Sequence, residues 1–195
     1  ETLTGNGTST LALATGGSLG PGLSALNESW DGTSWTEIAD LSVARMNIAG
    51  STFNSGNTAA VVFSGLTSTA VANTEEFTVP ETVTNTTITD YALGTGAWAS
   101  GGALNTARQQ LGGSGQSQAA ALAFGGDSGS GQLAITELYN GSTWSVKNDL
   151  ASARSNNAGF GTSTASISAG GRNGDTALNL VESWNGTGWS EIAEI

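Results

Sequence analysis

Four glutamates stand at matched places in the chain. Glu28, Glu75, Glu137 and Glu182 each lie two residues ahead of an aromatic: Trp30, Phe77, Tyr139 and Trp184. Grouped carboxylates can act as general acid, base or nucleophile in glycoside cleavage, but that chemistry needs two carboxylates in different environments. A set repeated in identical surroundings supplies no such difference. Three arginines, Arg45, Arg108 and Arg154, recur with the same step. A carboxylate beside a buried indole is costly unless paired, and the guanidinium fork matches a carboxylate. The expected role is therefore structural: Glu–Arg links between neighbouring repeats, with every Glu of the set held beside buried Trp. The chain has no His and no Cys, which excludes imidazole acid–base chemistry, thiol nucleophiles, disulfides and Cys/His zinc sites.

The elements that must position these residues follow from an internal repeat. Asn27-Glu28-Ser29-Trp30-Asp31-Gly32-Thr33-Ser34-Trp35 matches Val181-Glu182-Ser183-Trp184-Asn185-Gly186-Thr187-Gly188-Trp189. Thr136-Glu137-Leu138-Tyr139-Asn140-Gly141-Ser142-Thr143-Trp144 is a third copy, and a fourth opens at Thr74-Glu75-Glu76-Phe77 and resumes at Trp98. Small doublets keep the same step: Gly16-Gly17, Ser64-Gly65, Gly125-Gly126 and Gly170-Gly171. The unit is about 45 residues, four times over, a period of propeller blades or solenoids. Each unit reads as four short strands, with Asp-Gly or Asn-Gly as a two-residue hairpin turn between the third and fourth. That turn would set Trp30 against Thr33 and Glu28 against Trp35, with Glu28, Trp30 and Trp35 on one face of the sheet, packed between blades.

The expected fold is all-β: a β-propeller of four-stranded antiparallel blades, at approximately 1–40, 41–103, 104–149 and 150–195, with an insertion at 78–97 in the second. Gly, Ser and Thr dominate the innermost strands. Small inner residues suit a narrow channel and point to a closed four-bladed ring.

The Gly-Gly closing the second strand, the Glu two residues before an aromatic, the downstream Trp and the Arg opening the next unit together resemble kelch-repeat propellers. The Trp-Asn-Gly-Thr-x-Trp form (Trp184 to Trp189) is similar to kelch-like proteins of marine bacteriophage. These resemblances imply a binding or structural module and no cofactor. Copper-radical oxidases on kelch rings need His ligands, which this chain lacks. Ser29-Trp30-Asp31-Gly32-Thr33-Ser34-Trp35 also resembles the Asp-box of sialidases, one residue short, without the Arg cluster and Tyr nucleophile that such enzymes need.

Gly, Ala, Thr, Ser and Asn make up 121 of the 195 residues, and the net charge is −11. Five bases cannot supply the cationic face that phosphate backbones or anionic membranes require, and no apolar run approaches the roughly 18 residues of a membrane helix. Glu1 opens the chain and the one Met is Met46, which points to a processed chain or a piece of a longer one. Five Asn-x-Ser/Thr sequons begin at Asn6, Asn27, Asn85, Asn140 and Asn185, two or more of them by-products of Asn-Gly turns.

Ligand-binding candidates lie outside the repeat: Asp90 and Tyr91 in the insertion, Asp127 in the Asp127–Ile135 loop, and Arg172 and Asp175 in the Arg172–Leu180 loop. The last two loops carry calcium-type oxygens, although Asp and Asn at turns more often cap backbone, and no metal is assigned. The functional expectation is a non-enzymatic structural or adhesive module of a virion fibre, tail or surface appendage. It would act on a virion or extracellular surface in host attachment. The partners implied are other appendage subunits, a host-surface glycan and further copies of the chain. A kelch-type protein-interaction scaffold is the alternative, and a glycan-active propeller enzyme a more distant one.

Overall fold

A computed structural model describes residues 2–51, 57–79 and 96–195. It contains four antiparallel sheets of four strands and, among the described residues, no helix. Blade 1 is β1 (Thr4–Gly7), β2 (Ala12–Thr15), β5 (Asn27–Trp30) and β6 (Trp35–Glu37). Blade 2 is β7 (Ala49–Gly50), β8 (Ala59–Phe63), β9 (Thr74–Thr78) and β10 (Ala97–Ser100). Blade 3 is β11 (Gly112–Ser117), β12 (Ala120–Phe124), β13 (Thr136–Tyr139) and β14 (Trp144–Lys147). Blade 4 is β15 (Ala158–Gly161), β16 (Ser166–Ala169), β19 (Leu180–Trp184) and β20 (Trp189–Glu194). Two small hairpins, β3 (Ser18–Leu19) with β4 (Gly22–Leu23) and β17 (Arg172–Asn173) with β18 (Thr176–Ala177), stand in the connections between the second and third strands of blades 1 and 4. Strand order within each sheet is sequence order, so the chain is a four-bladed β-propeller.

The strands form where small, β-branched and aromatic residues alternate, and they stop where the doublets turn the chain. Gly16, Ser64, Gly125 and Gly170 have φ of 66°, 69°, 68° and 61°, and the glycine after each lies at 102–119°. At Gly126 a Cβ would also meet Gln109 O at 2.9 Å. Gly126→Ala should therefore destabilise the fold by about 1–3 kcal/mol in urea unfolding, from strain and overpacking together. Ser64 occupies one such position, and its hydroxyl donates to the Arg108 carbonyl.

The hairpin register differs from the two-residue turn expected. Trp30 pairs with Trp35, Tyr139 with Trp144, and Trp184 with Trp189. Four residues make each of these turns. The Asp31 carboxylate accepts the Thr33 and Ser34 amides at 2.7 and 2.8 Å, and Asn140 and Asn185 do the same in their blades. This side-chain capping stabilises the wider loop. Those amides also hold the Asp31 carboxyl below its ordinary pKa, Ser34 most strongly. The two aromatics of each pair are directly opposed, so they still share a face, with Trp30 and Trp35 ring centroids 5.4 Å apart.

Innermost strands pack through glycine. A Cβ at Gly113 would come within 2.7 Å of Gly50 O, and one at Gly159 within 2.6 Å of Gly113 O. Three blade-to-blade seams are filled with apolar side chains. Leu13 meets Ala60 and Phe77 between blades 1 and 2. Val61 and Phe63 meet Ala121, Ala123, Tyr139 and Trp144 between blades 2 and 3. Leu122 and Phe124 meet Trp184 and Trp189 between blades 3 and 4. Between blade 4 and blade 1 there is no such cluster, hydrogen bond or ring contact among the described residues. The closed ring expected from the small inner residues therefore lacks a packed fourth seam. Small residues permit inner strands to approach, but closure needs matched outer faces.

Candidate functional site

The buried ion pairs come first because they set the geometry of one face. Arg45 Nη1 donates to Glu75 Oε1 at 2.6 Å, and Arg108 pairs likewise with Glu137 and Arg154 with Glu182, all six side chains at most 2% exposed. The second oxygen of each glutamate accepts a backbone amide three residues upstream of its arginine: Ser42, Asn105 and Ala151 at 2.8, 2.7 and 2.9 Å. The arginine carbonyls accept the amides of Gly17, Gly65 and Gly126 in the preceding blade. The ion pair thus lies within one repeat, and the arginine backbone supplies the link between blades that was expected of the side chains. Burial lowers the pKa of all three guanidiniums, and the partner glutamate opposes this.

Glu28 departs from the set. It is exposed, faces Glu37 across the ladder, and has no arginine partner among the described residues. The position matching Arg45 falls before residue 1. The expectation that every Glu of the set lies beside buried Trp fails here, since Trp35 is 48% exposed. With no packed blade on that side, nothing removes the pair from water.

Tyr139 spans the second seam, its hydroxyl donating to Glu76 Oε1 at 2.5 Å. Its pKa is pushed up to about 12 from 10.0, first by burial, then by the Glu76 bond and charge. Between those values the unfolded chain releases the phenolic proton while the fold retains it, so stability falls as pH rises through that window. Tyr139→Phe should flatten the decline, as followed by urea unfolding at stepped alkaline pH.

The arginine segments converge on the channel mouth. Two residues after each arginine come Asn47, Gln110 and Asn156, all with φ of 55°. Their backbone amides form a relay that runs from blade 4 back to blade 1. Asn156 donates to Gln110 O at 2.8 Å, Gln110 to Asn47 O at 3.4 Å, and Asn47 to Thr2 O at 3.2 Å. These four residues, with Leu3, Ile48 and Leu111, line a cup of about 300 Å³ that includes no charged side chain among the described residues. The rest of the surface is otherwise. The buried pairs take up three of the five bases and three of the sixteen acids, leaving two cations and thirteen acids outside them.

The loop candidates rim this mouth. Asp127 bridges Gln109, and Arg172 bridges Ser155, each beside a cup residue. Gly174 N donates to Gln132 Oε1, tying the two loops together. Asp127 spends its carboxylate on Gly129 N and Gln132 Nε2. Arg172 and Asp175 form an exposed 3.3 Å pair. Asp90 and Tyr91, with most of the 78–97 insertion, lie outside the described residues. Sequence reasoning missed Asn47, Gln110 and Asn156, although an amide residue two places after each repeated Arg was a usable signal.

A propeller with a loop-rimmed cup fits a protein-interaction or binding module. No family model and no curated protein matches the chain.

Proposed function

We propose that the chain is a non-enzymatic adhesive module of a virion fibre, tail or surface appendage, resembling the kelch-like proteins of marine bacteriophage, and that its channel mouth takes a neutral, hydroxyl-rich ligand such as a host-surface glycan. The observation that carries this reading is the uncharged, amide-lined cup on an otherwise acidic protein. Amide side chains offer both donors and acceptors, as sugar hydroxyls require, and the exposed Leu3 side chain offers apolar surface to a ring face. Three of the four repeated carboxylates are held by buried arginines and the fourth, Glu28, is exposed opposite Glu37, so among the described residues the repeated set places no asymmetric carboxylate pair in the cup for glycoside hydrolysis. A glycan array is the test. Asn156→Asp retains a residue tolerant of positive φ and places charge at the mouth. It should weaken a bound neutral glycan about tenfold, the value of one lost hydrogen bond. Binding that ignores this substitution, or the absence of any glycan bound, would refute the reading.

A further inference from the structure

The two end faces of the propeller are the two halves of one blade-to-blade seam. In each packed seam the second Trp of a blade donates its indole N–H to the blade before it: Trp98 to Ala39 O at 2.9 Å, Trp144 to Thr74 Oγ1 at 3.0 Å, and Trp189 to Thr136 Oγ1 at 2.9 Å. Trp35 holds the same strand position in blade 1. It is 48% exposed, and its indole N–H has no acceptor among the described residues. On the other side of each seam, a mid-strand residue of the second strand is buried by the following blade: Leu13, Val61 and Leu122, none above 1% exposed. Ile167 holds this position in blade 4 and is only half-buried, and its cross-strand neighbour Phe160 is 51% exposed. Blade 1 thus presents an unfilled upstream half and blade 4 an unfilled downstream half, and within one chain the two do not meet.

We infer that these faces dock on a second copy of the chain, head to tail, blade 4 of one copy against blade 1 of the next. The argument is continuity with an interface the molecule already makes three times with residues at the same positions. The contact is heterologous, using different faces on the two copies, so it closes into a ring or extends into a filament. It concerns a surface other than the channel mouth, and it stands or falls apart from glycan binding.

The test is solution mass across a concentration series, at salt that screens the net charge of −11 on each copy. The chain should rise from 19.4 kDa to at least twice that mass. Trp35→Glu spoils only the upstream face and Phe160→Glu only the downstream face, so each variant alone should remain monomeric. Mixed, they should form a 1:1 pair and no more, since each contributes its one intact face. Circular dichroism and thermal melting verify that both variants fold; if either does not, Trp35→Ser and Phe160→Ser carry the same mixing test. A wild-type chain that stays at 19.4 kDa throughout overturns the proposal. So does a single variant that still assembles, or a mixture that stays monomeric.

Discussion

Arg108→Met is expected to destabilise the protein by about 3–5 kcal/mol, because it strands the buried Glu137 carboxylate without its cation. Both side chains are fully buried, and Arg108 meets Glu137 through charge and hydrogen bond together. The loss is a large share of the roughly 5–15 kcal/mol that holds a domain of this size together, so the variant should be partly unfolded in mild urea. A double variant, Arg108→Met with Glu137→Leu, separates causes. Removing the orphaned charge should recover about 1–3 kcal/mol. Recovery should stop short of wild type, because Asn105 donates both its backbone and its side-chain N–H to Glu137 Oε2, and these donors would lose their acceptor. If the double variant is as unstable as the single one, the stranded charge is not the cause. Glu28→Gln, at the one exposed member of the set, should leave stability within about 0.5 kcal/mol of wild type.

Trp144→Ala is the second large effect, expected at about 3–5 kcal/mol by urea unfolding. Trp144 packs edge-on against Phe63 with centroids 4.8 Å apart, tilts against Tyr139 at 4.9 Å, and donates its indole N–H to Thr74. Its loss opens a cavity in the seam between blades 2 and 3 and leaves the Thr74 hydroxyl without its donor. Trp35 is the same residue at the same place in the repeat, but among the described residues its one ring contact is with Trp30. Trp35→Ala should cost about 0.5–1.5 kcal/mol, the range for an aromatic pair on a largely open face. Equal costs for the two substitutions would show that repeat position, not the seam, sets the contribution of these tryptophans.

That contrast marks what could be read from the residues and what could not. The blade count, the strand order and the position of the last hairpin turn in blades 1, 3 and 4 were legible, because they rest on local rules. Side chains alternate with period two along a strand, and Gly-Gly or Asn-Gly turns the chain where positive φ is needed. The residue types of the ion pairs were legible too, since a carboxylate beside an indole needs a cation. The hairpin register was not. Asp31, Asn140 and Asn185 capped four-residue turns where the Gly beside each suggested two, and side-chain capping competes with turn propensity in a way that only the folded backbone settles. Nor was the departure of Glu28 and Trp35 from their repeat partners legible. Identical residues in a repeat have identical local structure, whereas burial and pairing depend on what lies across the seam. The uncharged cup at the mouth was equally hidden, because Asn47, Gln110 and Asn156 are 63 and 46 positions apart and come together only when the blades are arranged around a common channel. The sequence alone determined the repeating unit and its chemistry. The tertiary structure decided which copies of that unit are sealed against a neighbour and which are left open to one, since the first is a matter of near neighbours in the chain and the second of surfaces brought together from far apart.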